Sequence, residues 1–579
     1  MRSTFSGLNT MVKGIYSNQI SQETVGHNIS NAGTEGYSRQ RVNLAATHAQ
    51  EQSSIYGTVQ IGTGVDAKAL TRARDIYADR QYWSENPTMT YYEARAKEYD
   101  KLETIFDDSM DQGIAEALAK FYKSWQTLST SASDSSARIS ALEQGKNFAD
   151  KMHTVTSQLQ DQIEANYADI RLNVGKVNEM LEQVVQLNKS ICGVEVTGAM
   201  ANDLRDQRDL LVDKISDFVN VDVHEKDDGM YTLVSNGVSL VNGISRLTLE
   251  MSEPSENDEY GVIDYSILIK ESNIEYQPLN GILRAELDAV AEDKSYIDKM
   301  ADIAAFMLSD FNYQHQQGHG VDAKITAGVN FFGQRDTQYV WNATTRSLEA
   351  TQYTQTLDTI GYTYTVAQNP NYDVTDPNYN YVQATLNTAA GTVVTPTYTM
   401  TKVGILATLS LNTQLTAPDG HLLIAASGYG FESDASGKPV VVAPNPIIPI
   451  ANGSGDGANA VAISTLFNLD MSKDPRYVAG SAGNDNLRAI GTISLDSYYI
   501  KTMTALGTNA ETMDTRIKTQ KDIMTQVTEW RQSTAGVNWN EELSNMIMFQ
   551  QGFSSCSRCL TTMDEMLDRL INSTGVVGR

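Results

Sequence analysis

The sequence predicts a multidomain α+β protein, in which both chain ends form a long helical coiled-coil stem and antiparallel β domains are inserted between the helices. Near both ends, apolar residues recur at alternating steps of three and four, which is the spacing of a coiled-coil seam. Two internal regions instead combine short apolar runs with turn dipeptides, which favours strands. The chain has 579 residues, too many for one hydrophobic core, so three or four folded units are expected.

The clearest pattern lies in the last 35 or so residues. Apolar residues follow one another there at spacings of 3, 4, 3, 4, 3, 4 and 3, so the pattern lasts for more than three heptads. Charged residues such as Glu565 and Asp568 fall outside it. We call this set the C-terminal seam and predict that it carries subunit assembly; its members are Met546, Phe549, Phe553, Cys556, Leu560, Met563, Leu567 and Leu570.

The N-terminal segment offers a shorter partner for this seam. Its apolar residues are spaced 3, 4 and 3, while the remainder of residues 3–30 is rich in Ser, Asn, Gln and Thr. An isolated helix of this polarity is marginal in water. We therefore predict that both chain ends are largely disordered in the free subunit and become ordered only inside an assembly. The N-terminal residues predicted to carry assembly are Phe5, Leu8, Val12 and Ile15.

Three internal segments, 163–184, 283–311 and 499–527, predict further long amphipathic helices. The first repeats the heptad spacing 4, 3, 4, 3, 4, 3 without interruption. Its apolar residues are Ile163, Tyr167, Ile170, Val174, Val177, Leu181 and Val184.

Two regions between the helices predict β structure. Val219, Val221 and Val223 alternate with polar residues, and three X-Gly turn signals follow, which predicts a small antiparallel meander at 219–270. Residues 335–450 are rich in Tyr, Thr and Asn and predict a separate outer β domain, far from the stem. The predicted units are a terminal helical pair at 1–43 and 536–579, a helical stem at 44–218, 271–334 and 451–535, the meander at 219–270 and the outer variable domain at 335–450.

Composition excludes several classes of function. A formal net charge of −27 disfavours binding to nucleic acid or to an anionic membrane surface. The N-terminal 20 residues lack the apolar core of a secretory signal peptide, which predicts a soluble protein that is cytoplasmic or exported without cleavage. Three cysteines in a chain of this size exclude a disulfide framework.

Two stretches near the N-terminus resemble the signature of flagellar rod, hook and hook-associated proteins. They are Asn28–Asn31 with Thr34–Arg39, and Gly62–Val65 with Arg72–Tyr77. Three further stretches are similar to the hook-associated protein 1 family within that group. They are Asn202–Asp209, Phe311–Asn312 with His315 and Gly318, and Gly536–Asn538 with Glu541–Glu542 and Phe549–Gln550. Residues 335–450 carry no match, and the Cys556–Cys559 stretch departs from the family's usual cysteine-free pattern.

The resemblance implies a structural subunit of the bacterial flagellum that is needed for motility. It implies a ring or helical homo-oligomer at the hook–filament junction, with the chain ends lining the inner tube. The flagellar hook protein would lie below it and hook-associated protein 3 above it. The resemblance also implies binding by a cytoplasmic export chaperone and type III export without a cleaved signal, and hence an extracellular location. Nucleic acid, membrane and cofactors are not expected partners.

Several signature residues predict a sharp exit from the first helix. Gly36 supplies a backbone conformation that other residues resist, and Tyr37 packs over the turn. Asn28 and Asn31 satisfy backbone groups at the exit. The alternative is an ordinary capped helix followed by a loop. The predicted assembly residues here are Asn28, Ile29, Asn31, Gly36 and Tyr37.

Two pairs of residues suggest site chemistry at first sight. Cys556 and Cys559 have the spacing of a redox or metal motif, but Cys556 lies in the C-terminal seam and no second cysteine pair completes a zinc site, which favours packing. His315 and His319 have a metal-ligand spacing, but the neighbouring glycines favour a helix end that runs into a loop. We predict no catalytic, cofactor or metal residues.

Two other functions stay open for residues 335–450. A surface adhesin or sugar-binding domain is compatible with its low charge and many aromatic residues. An inserted hydrolytic enzyme is the other alternative, but the region offers only a few acidic residues and one histidine for catalysis. These are Asp358, Asp373, Asp376, Asp419 and His421.

Overall fold

The computed structural model describes most of the chain. The described residues are 6–54, 57–106, 113–323, 329–352, 363–368, 382–387, 397–430, 450–470 and 488–573. Phe5 and much of the predicted outer domain, including Asp358, Asp373 and Asp376, lie outside them.

Long helices dominate the described residues. The helices are α1 Ser6–Asn31, α2 Ile76–Ile105, α3 Ile114–Thr130, α4 Ser135–Glu195, α5 Asn202–Phe218, α6 Ile282–Phe306, α7 Asn312–Gln316, α8 Lys402–Thr408, α9 Ala458–Asn468, α10 Leu495–Ala535 and α11 Trp539–Asp568. Two π-helical turns, Met307–Phe311 and Arg569–Ser573, and a 3-10 turn, Gly420–Leu423, complete them. No helix of the described residues combines the length and the apolar character needed to cross a membrane.

The strands are short and every paired set is antiparallel. They are β1 Gln40–Ala46, β2 Gln50–Ser54, β3 Gly57–Ile61, β4 Val65–Arg72, β5 Asp222–Glu225, β6 Tyr231–Ser235, β7 Val238–Asn242, β8 Ser245–Arg246, β9 Leu249–Met251, β10 Ser255–Asn257, β11 Val262–Asp264, β12 Ile267–Ile269, β13 Ile274–Glu275, β14 Thr337–Asn342, β15 Ser347–Gln352, β16 Thr363–Gln368, β17 Val382–Asn387, β18 Tyr398–Thr399, β19 Tyr429–Gly430 and β20 Ile450–Ala451. The sheet orders are β1-β4, β2-β3, β5-β6-β7-β8, β13-β12-β9, β10-β11, β14-β15-β18, β16-β17 and β19-β20. The predicted α+β class is confirmed in this coarse form, as a mostly helical chain with small antiparallel sheets.

Helix α4 is the axis around which the core is built. It runs for 61 residues and begins at Asp134, whose side chain caps the backbone amide of Ser136. Its seven predicted heptad residues, 163–184, are all buried, and α3, α5 and α6 pack along it. The helix predicted at 163–184 is therefore confirmed, and its apolar face is covered within the same chain.

The β1–β4 pair corrects one predicted border. The predicted helical stem includes residues 44–72, but strands β1 to β4 occupy much of this segment, and β1 and β4 pack on α1. The alternating apolar residues at Val42 and Leu44, and the turn at Gly62-x-Gly64, explain this outcome. Gly64 has φ +112 and lies close to Thr10 of α1, so a side chain there is strained and crowded.

A second correction concerns the predicted outer domain. Its part from Met400 to Ala426 contains a helix, α8, whose Ile405 and Leu406 are buried, and α8 packs on α6 and α4. Arg138 of α4 donates a 2.8 Å hydrogen bond to the Ile424 carbonyl, which ties this stretch to the stem. These residues therefore belong to the helical core and do not lie far from the stem. The other predicted borders stay predictions.

Candidate functional site at the base of the terminal helices

Helices α1 and α11 lie against each other, and we call them the terminal helix pair. Small residues set their separation. A Cβ atom at Gly14 would lie 2.9 Å from the Cys556 sulfur, and one at Gly7 would lie 2.8 Å from Met563 Cε. Both glycines therefore allow an approach that a larger residue would prevent.

The face that α1 buries within the single chain is not the one formed by its predicted assembly residues. Leu8, Val12 and Ile15 are only half-buried, whereas small and polar residues are buried at spacings of 3, 4, 3 and 4. This face lies between α11 and β4, where Ser17 Oγ donates to the Val65 carbonyl at 3.3 Å. The available signal was the heptad spacing of small side chains, which a search for apolar residues passes over. The residues are Gly14, Ser17, Ser21, Thr24 and Asn28.

The C-terminal seam forms one face of α11, as its spacing predicts, but the single chain covers it incompletely. Six seam residues are half-buried, while Phe553 and Leu570 are exposed. Glu542 is the only buried residue of α11, all of which is described. Other large apolar side chains on this helix and the turn after it are exposed. They are Trp539, Leu543, Ile547, Met548, Met566 and Ile571.

Below the terminal helix pair, the chain passes through a region that we call the joint: residues 32–40 after α1 and residues 535–542 before and at the start of α11. Asn28 is its central polar residue. Its Oδ1 accepts hydrogen bonds from the Gln40 amide at 2.9 Å and from the Tyr37 hydroxyl at 2.8 Å. Its Nδ2 donates to the Gln40 carbonyl at 2.9 Å and to Glu542 Oε2 at 3.1 Å. One buried side chain thus connects the end of α1, the strand that follows and α11.

Arg39 makes the second connection across the joint. Its guanidinium lies 2.8 Å from Glu542 Oε1 and 2.8 Å from Glu541 Oε1, and its amide donates to the Ala535 carbonyl at 2.9 Å. Because Glu542 is almost fully buried, its charge depends on Arg39 and Asn28 for compensation. Both Arg39 and Glu542 belong to sequence motifs, but nothing in those motifs indicates that the two residues pair.

The turn after α1 has the predicted shape. Gly36 has φ +78, and a Cβ there would also lie 3.1 Å from Leu210 Cβ. Burial, together with Asp203 and Asp206, raises the pKa of Tyr37, so its hydroxyl remains a donor to Asn28. Asn31 donates to the His27 carbonyl at 3.0 Å, which satisfies one carbonyl of the helix end. Ile29 is half-buried beside them.

Charged groups on α5 attach the joint to the stem. Asp206 accepts from the Ser38 amide at 2.9 Å and pairs with Arg72 at 2.8 Å. Asp209 pairs with Arg72 at 2.7 Å and with Arg74 at 3.1 Å. Burial alone would raise the pKa of Asp209, but the two arginines hold it below its usual range. The stretch Asn202–Asp209, singled out by sequence, therefore serves as a charged platform for the joint.

A third arginine continues this network to α10. Arg531 lies 2.9 Å from Asp79 of α2 and 3.0 Å from Asp213 of α5. An open cavity of about 1110 Å³ lies between the joint, α2, α5 and the end of α10. The joint is therefore attached by directional ion pairs and hydrogen bonds around a cavity, and the continuous apolar core lies elsewhere in the chain.

The residues that suggested site chemistry lie apart from the joint's polar network. Cys556 is half-buried against Gly14, whereas Cys559 is exposed. His315 lies in the last turn of α7 and is buried. Its Nε2 accepts from the Ala425 amide at 3.0 Å, so its Nδ1 donates to the Val329 carbonyl. Burial lowers the pKa of His315 to about 4. Within the described ranges, no group of three or more His, Cys, Asp and Glu residues is arranged to hold a metal ion.

Comparisons with known proteins agree with the motifs. The model of the flagellar hook-associated protein FlgK helical domain matches residues 99–332, and that of the flagellar basal body rod FlgEFG protein C-terminal region matches residues 531–573. Flagellar hook-associated protein 1 of Bacillus subtilis is 26% identical and aligns over 100% of both chains. The protein of the same name from Escherichia coli is also 26% identical, over 98% of this chain and 99% of that protein.

The joined chain ends, the helical stem and these full-length relatives define a structural protein of the bacterial flagellum, which is not an enzyme. Over its full length the chain is similar to members of the flagellar hook-associated protein 1 family. The family predicted from the motifs is therefore confirmed.

The solved structure of the flagellar hook junction protein FlgK from Burkholderia pseudomallei supports the fold. It has a TM-score of 0.54 and 17% sequence identity, and the match covers 79% of this chain and 100% of that one. At this identity the likeness concerns the fold alone.

Proposed function

We propose that identical copies of this chain assemble through the terminal helix pair to form the junction between the flagellar hook and filament. In this proposal, residues 1–43 and 536–579 form the inner tube as a coiled coil, and the helical stem packs outside them. The meander at 219–270 and the outer strands decorate the stem. The names of the full-length relatives, which are hook-associated proteins, support the location.

One observation carries the self-assembly part of this proposal. Helix α11 exposes large apolar side chains on several sides, although its partner α1 is already in place. Full burial of one such side chain contributes about 1.5–3 kcal/mol. Eight exposed side chains, Phe553 and Leu570 among them, therefore provide on the order of 10 kcal/mol of gross stabilisation that only neighbouring chains can supply.

The same observation supports coupled ordering of the chain ends. Because α11 buries so little within one chain, the free subunit has few contacts that offset the entropy of ordering its terminal helices. In this proposal the helices α1 and α11 gain their rigidity from neighbouring copies. The joint then connects the ordered helices to the stem through Asn28, Arg39 and the arginines on β4 and α10.

The proposed partners follow from the family. The hook protein lies below the ring and hook-associated protein 3 above it. A cytoplasmic chaperone covers the subunit before type III export, which delivers it to the cell exterior without signal cleavage. A chaperone fits the exposed apolar side chains of α11, because such a surface aggregates when it is left uncovered.

The proposal is tested by removing residues 545–579 and measuring binding of the purified chain to isolated hooks. We expect binding to be lost, while the unfolding transition of the α3–α4–α6 core stays unchanged. Removal of residues 574–579 alone is the matched control, since it leaves α11 whole, and it is expected to bind normally. A chain without residues 545–579 that still added to hooks as a complete ring would overturn the assembly mechanism.

A further inference from the structure

Two equivalent polar contacts, each between an asparagine and an acid, lie inside the stem, where α4 packs on α6. Asn166 Nδ2 donates to Asp293 Oδ2 at 3.2 Å, and Asn173 Nδ2 donates to Glu286 Oε1 at 2.6 Å. The two asparagines are seven residues apart on α4, and the two acids are seven residues apart on α6 in the opposite direction. The second contact therefore repeats the first at a distance of one heptad along the antiparallel helix pair.

Both acids are placed where a negative charge is costly. Asp293 has no exposed surface and Glu286 is partly buried. Among the described residues, neither Asp293 Oδ1 nor Glu286 Oε2 accepts a hydrogen bond, although both atoms are shielded from solvent. A carboxylate with an unpartnered buried oxygen loses its hydration without compensation, whereas a neutral carboxyl group loses far less.

Three cations near this layer have other partners, two of them acids and one of them Asn173. Arg95 and Lys101 favour the charged form of the buried acids, but less strongly than burial opposes it. On α2, Arg95 pairs with Glu292 of α6, and Lys101 lies 3.1 Å from Glu98. On α4, Lys176 donates to Asn173 Oδ1 at 3.1 Å.

The remaining charged groups that face the layer are acidic. Asp169 of α4 faces Glu286, Glu292 of α6 faces Asp293, and Glu98 of α2 faces both. The field of these three groups opposes ionisation of the two buried acids.

We propose that this layer couples folding of the stem to proton binding: the stem folds with Glu286 and Asp293 protonated, as two neutral Asn–carboxyl contacts that fix the register of α4 against α6. The layer then acts as a proton-linked lock. The two contacts hold α4 and α6 together while both carboxyl groups are neutral. They weaken when the carboxyl groups ionise.

The direction of the pH dependence follows from the geometry. Burial, followed by the charge of Asp169, raises the pKa of Glu286 to about 8, and burial, followed by Glu98, raises that of Asp293 to about 8. The unfolded chain releases these protons near pH 4. The contribution of the layer to stability is therefore complete below about pH 4, falls as the pH rises toward about 8, and is lost above that value.

The test compares the full chain with the double variant Glu286→Gln/Asp293→Asn, whose amides are neutral at every pH. Unfolded at about pH 6.5 without buffer, the wild type is expected to release about two protons more than the variant. Between about pH 5 and pH 9, the unfolding constant of the wild type should rise at least tenfold relative to that of the variant. Glu103→Gln, at an exposed carboxylate on α2, is the control and should follow the wild type.

Equal proton release and parallel pH profiles in the wild type and the double variant would overturn the proposal. An infrared spectrum of the wild type alone covers the case of a variant that fails to fold. The carbonyl band of protonated carboxyl groups must be present at about pH 7 and absent above about pH 9. A native chain without that band at neutral pH contradicts the proposal equally.

Discussion

Helices α4 and α11 carry the same kind of heptad pattern, and the structure treats them differently. In α4 the apolar residues at 163–184 are buried by α6, α5 and the meander strands. In α11 the residues of the C-terminal seam stay half-buried or exposed, although α1 lies against them. A heptad repeat therefore predicts an apolar stripe on a helix. It does not indicate whether side chains of the same chain or of a second chain cover that stripe. In the proposed assembly, the uncovered stripe of α11 is the surface that a second copy covers.

The largest expected effect separates the two helices directly. Val177→Asp places a charge in the buried stripe of α4 and should destabilise the chain by more than about 4 kcal/mol. Ile547→Asp changes an exposed residue of α11 and should alter the stability of the single chain by less than about 0.5 kcal/mol. Chemical denaturation measures both effects. Binding to hooks should be lost with Ile547→Asp even though that variant remains folded.

Comparable stability losses in these two variants would remove the distinction between the helices. It would show that α11 is as firmly packed within one chain as α4.

The joint provides the next largest effect. Arg39→Met leaves the buried carboxylate of Glu542 without its cation and should cost about 3 kcal/mol, confined to the terminal helix pair. In subunits assembled onto hooks, hydrogen exchange should accelerate in α1 and α11 and stay unchanged in α4. Adding Glu542→Gln should restore part of the protection, because the unpaired charge is then removed. Lys13→Met, which breaks an exposed pair with Asp66 at 3.2 Å, is the control and should cost less than about 1 kcal/mol.

Faster exchange across α4 in Arg39→Met would show instead that the joint and the stem unfold as one unit.

The smallest effects concern the glycines of α1. Gly14→Val places side-chain atoms against the Cys556 sulfur and should separate α1 from α11, at a cost of about 1–3 kcal/mol. Gly26→Ala adds a methyl group where no atom lies within 4 Å and should stabilise α1 by about 0.5–1 kcal/mol. The exchange rates of α1 amides report both changes. Equal protection of α1 in the two variants would mean that the close approach at Gly14 does not stabilise the packing of α1 on α11.

Sequence reasoning identified the helices and the family because heptad spacing and contiguous motifs are local properties. It found Asn28, Gly36 and Tyr37 for the same reason, since their turn chemistry lies within ten residues. It missed the pairing of Arg39 with Glu542 because about 500 residues separate them along the chain. It did not identify the face that α1 buries within the single chain, because Gly14, Ser17 and Ser21 pack through their small size, which an apolar pattern does not show.

Two placements failed for a related reason. The predicted helical stem includes residues 44–72, although the alternating residues and the Gly62-x-Gly64 turn in this segment favour short strands. Residues 400–426 were grouped with the Tyr- and Thr-rich region on composition, yet Ile405 and Leu406 pack into the core against α4 and α6. Composition averaged over a hundred residues conceals a short helix with a buried face.

Methionine oxidation tests the central claim, that neighbouring copies cover the face of α11 that one chain leaves open. Met548 and Met566 are 56% and 66% exposed, whereas Met152 and Met300 of the core are fully buried. In the free subunit, peroxide should oxidise the first two and spare the last two. After assembly onto hooks, Met548 and Met566 should be protected as strongly as the core methionines. Equal oxidation of Met548 and Met566 in the free and the assembled subunit would contradict the account.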